Sequence, residues 1–121
     1  MQNILIVEDE RIMANLLKKK ISQAGYKVSV VYDGEEGLKK IKEEKPDLIL
    51  LDLIMPKISG FTIMEEMKKD QELSSIPIIV VSNSGQPVEL DRIKKLGAKD
   101  WIIKTEFDLQ EVIEKIKRQI K

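Results

Sequence analysis

The chain has 121 residues, 42% hydrophobic and 35% charged, the size and balance of one globular domain with a core rather than of a disordered chain. Its 21 basic residues offset 21 acidic ones, so charge alone gives no reason to expect nucleic acid as a partner. Cysteine and histidine are both absent, which excludes disulfides, thiolate chemistry, imidazole bases and the usual zinc ligands. Chemistry must then rest on carboxylates, hydroxyls, lysines and a hard metal ion.

The opening residues, MQNILIVEDE, lack the basic start and apolar run of a signal peptide. No apolar run approaches the roughly 20 residues of a membrane span, so the expected location is the cytoplasm. Asn3–Val7 is a short apolar run ending at Glu8, Asp9 and Glu10. Arg11–Ala24 places Ile12, Met13, Leu16, Leu17 and Ile21 at helical spacing, with Gly25 where a helix-ending glycine belongs. Lys27–Val31 alternates and is rich in β-branched residues, which predicts a second strand. Asp33, with Glu36 three residues on, predicts the cap of a second helix whose apolar side is Leu38 and Ile41; Pro46 closes that unit.

Asp47 precedes the wholly apolar Leu48–Leu51, and Asp52 stands where the run ends. Such a run suits a strand buried on both faces of a parallel sheet. Pro56 and Gly60 interrupt the pattern, and Phe61, Ile63, Met64 and Met67 predict a third helix starting near Ser59. The two methionines are read as core rather than as a binding stripe. Pro77–Val81 predicts a fourth buried strand, followed by a polar turn of Ser82, Asn83, Ser84 and Gly85. Pro87 suits the first turn of a fourth helix that runs to Leu96 and stops at Gly97. Trp101–Ile103 predicts the fifth strand, ending at Lys104, and Thr105 is a candidate cap for a last helix bearing Leu109, Val112, Ile113, Ile116 and Ile120 on one stripe. Glu111, Glu114, Lys115, Lys117 and Arg118 then form a solvated face. The order is strand then helix five times over, which predicts an α/β domain, residues 1–121, with helices on both faces of a parallel sheet.

In such sheets ligands bind beyond the carboxyl ends of the strands. The predicted strands deliver Glu8 and Asp9, then Asp52, Ser82 and Lys104 to that edge. Crowded carboxylates at neutral pH call for a cation among them. Oxygen-only ligands point to Mg²⁺, with Mn²⁺ or Ca²⁺ as alternatives. A metal, an ammonium and a hydroxyl around one carboxylate form a site for a phosphoryl group on that carboxylate. Asp52 is the expected nucleophile. Each residue also has a plainer reading: Glu8 and Asp9 as first-turn acids favoured by a helix dipole, Lys104 as a surface lysine, Ser82 as a turn residue, Trp101 as filler.

The chain resembles the receiver domain of bacterial two-component response regulators, in particular the single-domain, CheY-like kind. The resemblance rests on Glu8-Asp9 after the first strand, on D-x-x-M-P-x-x-x-G from Asp52 to Gly60, on Ser82 and on Lys104. It implies a flavodoxin-like, doubly wound (βα)5 fold. It implies that Asp52 accepts a phosphoryl group from a phosphohistidine on a sensor histidine kinase or phosphotransfer protein. Mg²⁺ would be held by Asp9 directly, by Glu8 through water, by Asp52 and by the backbone carbonyl of Ile54. Lys104 would pair with the phosphoryl oxygens, Ser82 would swing toward them, and Trp101 would take the place of the aromatic switch residue. The fourth helix, fifth strand and fifth helix would form the face that meets a downstream protein, as a monomer or weak dimer, and any effect on DNA would go through another protein. The chain would be a phosphoacceptor that assists its own modification and not an enzyme acting on an outside substrate.

Departures from the family pattern bear on this. Asn83 follows Ser82 where alanine or glycine is usual, and its bulk could restrict Asp52. Thr105 follows Lys104 where the family has proline after a cis peptide; a cis bond before threonine costs about 3–4 kcal/mol. Trp101 is larger than the usual tyrosine or phenylalanine. Ile54 is apolar and cannot orient a water, which predicts slow dephosphorylation. Two other classes stay open at this point. One is an interaction module of the same fold that works without phosphorylation. The other is a Mg²⁺-dependent phosphohydrolase, for which the chain has no insertion long enough to cap a substrate.

Overall fold

The computed structural model describes residues 2–83 and 86–120, with Pro87 and Val88 described through their backbone alone; Ser84 and Gly85 of the expected polar turn lie outside the described residues. The elements follow in the order β1 (Asn3–Val7), α1 (Arg11–Gln23), β2 (Lys27–Val31), α2 (Gly34–Glu44), β3 (Leu48–Asp52), α3 (Gly60–Lys68), β4 (Ile78–Ser82), α4 (Pro87–Lys95), β5 (Asp100–Ile103) and α5 (Leu109–Gln119). The strands form one parallel sheet in the order β2-β1-β3-β4-β5. The chain moves outward from β1 to β2, then returns to the other side of β1 for β3. This reversal opens a crevice beyond the carboxyl ends of β1 and β3.

The period-2 alternation of the strands sorts the core into two layers. Ile4, Ile6, Leu48, Leu50, Ile79, Val81 and Ile102 face Ala14, Leu17 and Ile21 of α1 and Val112, Ile113 and Ile116 of α5. Leu5, Val7, Ile49, Leu51 and Val80 face Ile41 of α2, Ile63, Met64 and Met67 of α3 and Ile93 of α4. Leu48–Leu51 are fully buried, so β3 has no solvent face and its apolar run is explained. Each fully buried aliphatic side chain contributes about 1.5–3 kcal/mol relative to exposure.

Local signals explain most helix ends. The Asp33 side chain accepts from Glu36 N at 2.8 Å and caps α2, and the Ser59 hydroxyl accepts from Thr62 N at 3.3 Å and caps α3. Gly25 and Gly97 follow α1 and α4 at φ values of 99° and 102°, a region where a side chain is disfavoured.

Four expectations are corrected: the cap of α5, the buried stripe of α1, the end of β4 and the start of β5. The cap of α5 is Asp108, whose Oδ1 accepts from Glu111 N at 2.7 Å, and not Thr105. After Lys104 the chain first makes a turn and packs Phe107 against the α1/α5 layer, so the helix starts later, where another acid-led capping sequence lies. On α1, Ile12 and Leu16 are 81% and 49% exposed; the buried stripe is Ala14, Leu17 and Ile21, because the helix carries apolar residues around more of its circumference than the sheet covers. The Lys104–Thr105 peptide is trans. Strand β4 runs one residue past the expected Val81, making Ser82 a strand residue, and β5 starts one earlier, at Asp100.

Gly60 shows why the motif after Asp52 ends in glycine. A Cβ there would lie 2.4 Å from the Asp52 carbonyl oxygen and 2.8 Å from Leu53 Cα, and Gly60 N donates to Leu53 O at 2.8 Å. The first turn of α3 thus lies directly on the backbone that carries Asp52. Gly60→Ala is expected to lower stability by about 1–3 kcal/mol, as overpacking against backbone does; an unchanged urea midpoint would show that the loop yields freely.

Candidate functional site

The carboxyl end of β1 delivers Glu8, 1% exposed, and the half-buried Asp9. Strand β3 ends on Asp52, 3% exposed, and β4 ends on Ser82, 4% exposed. Register fixes their neighbourhood: Asp52 stands opposite Val81, and Ser82 opposite Ile103, the residue before Lys104. Backbone bonds from Glu8 N to Val31 O at 3.1 Å and from Lys104 N to Ser82 O at 2.8 Å extend the sheet past its last side chains. Glu8 and Lys104, one residue past the ends of β1 and β5, are thereby still tied to the sheet through their backbone.

Lys104 crosses from β5 to the centre of this edge. Its Nζ lies 3.2 Å from Asp52 Oδ2, 3.0 Å from Glu8 Oε2 and 2.9 Å from Glu10 Oε1. Asp52 Oδ1 accepts from Ile54 N at 3.3 Å, and Glu8 Oε2 also accepts from Glu10 N at 3.1 Å. Glu8 Oε1 is different: it is buried and has no hydrogen-bond partner, although the Lys104 Nζ is 3.0 Å away. The ammonium attracts it by charge but is not directed at it for a hydrogen bond.

Burial, then the hydrogen bond and charge of Glu8 and the hydrogen bond of Asp9, push the Asp52 carboxyl up to about 8, with the Lys104 charge opposing. For Lys104, burial works to lower its affinity for a proton, but bonds to Glu10 and Glu8 and the charges of Asp52 and Glu8 outweigh burial and raise it. The lysine is thus a permanent cation, and the acids around it outnumber it.

Glu8, Asp9 and Asp52 each present a carboxylate oxygen, all within 4.8 Å of one another. Together with the orphaned Glu8 Oε1, this all-oxygen set fits a hard divalent cation of the Mg²⁺ type. A divalent ion would supply a partner to that oxygen and neutralise the excess of acids.

Of the expected site residues, Glu8, Asp9, Asp52 and Lys104 come together. Ile54 lies beside them, its amide turned back to Asp52 and its side chain 68% exposed. Ser82 adjoins them through the sheet, and its hydroxyl donates to Glu89 Oε1 in the first turn of α4. Asn83 is exposed. Trp101 is apart from the acids: half-buried on β5, it packs against the layer of α3 and α4, with Lys94 Nζ 5.1 Å and Lys115 Nζ 5.9 Å from its ring centroid. Lys115 also bonds Trp101 O at 2.8 Å and Asp100 Oδ1 at 2.9 Å. Glu10 and Glu89 are the polar partners that sequence reasoning missed. Glu10 carried a signal, as the third acid of the run after β1; Glu89 carried none beyond its place in a helix's first turn. A cavity of about 340 Å³, lined by Met64, Met67, Leu73, Ile76 and Leu96 among others, lies at the opposite end of the sheet from these residues.

Comparison with known proteins gives the family of the chain and relatives of its fold. The family model described as the response regulator receiver domain matches residues 4–117, and the chain belongs to that family, whose members are phosphoacceptor signalling modules. Within it, the chain is a receiver domain of two-component response regulators. It is 34% identical over 121 residues to the response regulator ArlR of Staphylococcus saprophyticus, covering 100% of this chain and 53% of the relative. It is 32% identical to the DNA-binding dual master transcriptional regulator RpaA of Synechocystis, covering 97% of this chain and 48% of the relative. The chain thus spans about half the length of these curated relatives. In structure it is similar to the chemotaxis protein CheY4 of Vibrio cholerae, with a TM-score of 0.91, 25% identity and 99% of each chain covered. A CheY-like receiver domain protein of Methanospirillum hungatei matches with a TM-score of 0.89 and 27% identity over 98% of this chain and 92% of the other.

The raised Asp52 carboxyl has a stability consequence in metal-free solution. Its folded value, about 8, lies above the ordinary 3.8, so over that interval the unfolded chain binds fewer protons than the folded one and stability falls as pH rises. Asp52→Asn removes this fall. With chelator present, its Tm is expected to exceed that of the wild type by a margin that grows from pH 4 to pH 8, at about 4 °C per kcal/mol for a domain of this size. Parallel melting curves across that range would refute the assignment.

Proposed function

We propose that residues 1–121 act as a receiver unit in a His-to-Asp phosphorelay, with Asp52 the phosphoacceptor. The observation that carries this is the meeting of Asp52, Lys104, Glu8 and Asp9 at one buried sheet edge. The donor is a phosphohistidine on a sensor histidine kinase or phosphotransfer protein. A carboxylate oxygen of Asp52 attacks phosphorus, the P–N bond to the imidazole breaks, and the electron pair leaves with the ring nitrogen, which takes up a proton from solvent. Glu8, Asp9, Asp52 and the Ile54 carbonyl would hold Mg²⁺. When bound, Mg²⁺ offsets the charge of the acids and of the phosphoryl oxygens. Lys104, already between Asp52 and Glu8, turns its ammonium toward the phosphoryl oxygens as an ion-pair partner and stabilises the spread negative charge of the transition state.

Once formed, the acyl phosphate biases a two-state equilibrium. Ser82 supplies a hydroxyl from the adjoining strand, and Trp101 reports to the face made by α4, β5 and α5, where a downstream protein or a weak dimer partner would bind. A cytoplasmic setting fits a kinase-coupled relay; among the described residues no helix is long and apolar enough to cross a membrane. The even charge balance gives this unit no basis of its own for binding nucleic acid.

With Mg²⁺ and acetyl phosphate, intact mass is expected to rise by one phosphoryl group while the fluorescence of Trp101, the single tryptophan, changes. Asp52→Asn should show neither. Metal binding without phosphoryl uptake in the wild type would contradict the proposal.

Ile54 is exposed and apolar, so its side chain cannot hold a water in line with the phosphorus. Slow loss of the phosphoryl group is expected, and Ile54→Asn should shorten its lifetime by about tenfold, less than the roughly 10²–10⁴-fold of a true general base because an amide orients a water without taking its proton. Equal lifetimes by quenched mass analysis would remove this role.

A further inference from the structure

The hydroxyl of Ser82 has a partner that the phosphoacceptor reading does not use. Ser82 is buried and ends β4; its carbonyl accepts from Lys104 N at 2.8 Å, and its Cα is in register with Ile103. Its backbone is therefore fixed by the sheet. That hydroxyl donates to the carboxylate of Glu89, which reaches back from the first turn of α4.

An acid in a helix's first turn is usually there for the helix dipole. That explanation accounts for the position of Glu89 but not for its side chain bonding a buried strand residue seven positions earlier in sequence. A serine hydroxyl has a single proton. A bond from hydroxyl to carboxylate is charge-assisted and roughly twice as strong as a neutral one. For Ser82 to donate to a phosphoryl oxygen on Asp52, this bond must break. The half-buried Glu89 carboxylate then loses a donor, and it faces a neighbouring strand end that has gained negative charge. Both effects favour the unphosphorylated arrangement.

We propose that Glu89 is a positioning residue that competes with the phosphoryl group for the Ser82 proton, and so sets how readily the switch is thrown. The inference rests on the phosphoacceptor reading above. Glu89 thereby ties α4 to the end of β4 before phosphorylation and releases it afterwards, so the same contact that restrains Ser82 restrains the helix.

Beryllofluoride with Mg²⁺, a non-covalent phosphoryl mimic, tests this by calorimetric titration of the whole chain, with Trp101 fluorescence in parallel. Glu89→Ala is expected to bind it about fivefold more tightly than the wild type, the scale of one hydrogen bond's net contribution, and Glu89→Gln, which keeps a neutral acceptor, to fall between. In a Ser82→Ala background, Glu89→Ala should produce no further gain. Urea midpoints of all variants would show that each is folded. Unchanged affinity in both Glu89 variants would overturn the proposal. So would the same gain with and without Ser82, since that is the mark of a general charge effect. Failure of the wild type to bind beryllofluoride would overturn the phosphoacceptor reading and this inference with it, whereas binding lost in Asp52→Asn but indifferent to Glu89 would overturn this inference alone.

Discussion

The structure depends on one electrostatic arrangement: buried carboxylates gathered at a sheet edge around a single ammonium. Glu8 and Asp52 are almost wholly buried, and taking such groups from water is costly unless each is paired. Lys104 pairs with both but cannot direct a hydrogen bond to every oxygen, which leaves Glu8 Oε1 without one. The acids therefore remain in excess, a state in which affinity for further positive charge is built in. The rest of the fold makes this tolerable. Strands β1 and β3 are apolar along their length and fix the acids at their tips, and the close seat of Gly60 on the Asp52 carbonyl keeps the following loop against the site.

In the proposed reading, that arrangement separates chemistry from signalling. Groups that handle charge stand at the ends of β1, β3 and β5, whereas Trp101 lies to one side, flanked by Lys94 and Lys115. Ser82 is the link between the two regions. It belongs to the sheet by its backbone and to α4 by its hydroxyl. In the proposed reading, a change at Asp52 reaches α4 through that side chain without any strand moving, which is the economy expected of a switch whose core stays packed.

Much of this was legible in the sequence because the strongest signals were short-range or periodic. The wholly apolar Leu48–Leu51 suits a doubly covered strand, and the caps at Asp33 and Ser59 follow local rules. Strand ends then brought Glu8, Asp9, Asp52 and Lys104 to one edge by topology alone. What was not legible depended on how much surface a neighbour covers or on where a long side chain turns. Ile12 and Leu16 fit the helical period as well as Leu17 does, yet the sheet reaches only the narrower stripe. Thr105 and Asp108 both precede an acid by three residues, and only the packing of Phe107 decides between them. Glu10 and Glu89 are ordinary acids in sequence, and their roles come from side-chain reach across elements.

The distance along the chain over which the site is assembled has a consequence for how the protein emerges from a ribosome. Lys104 meets Glu8 across 96 positions, and it arrives on the last strand of the sheet. A nascent chain that has exposed β1 through β4 already holds the acids but not their ammonium, so closing the strands that carry them must bury the acids unpaired or draw a proton onto Asp52. Translation at about 5–20 residues per second makes that interval seconds long. The sheet edge gains its full set of partners only when β5 docks, so a product truncated before β5 would be discouraged from closing β1 and β3 around the acids.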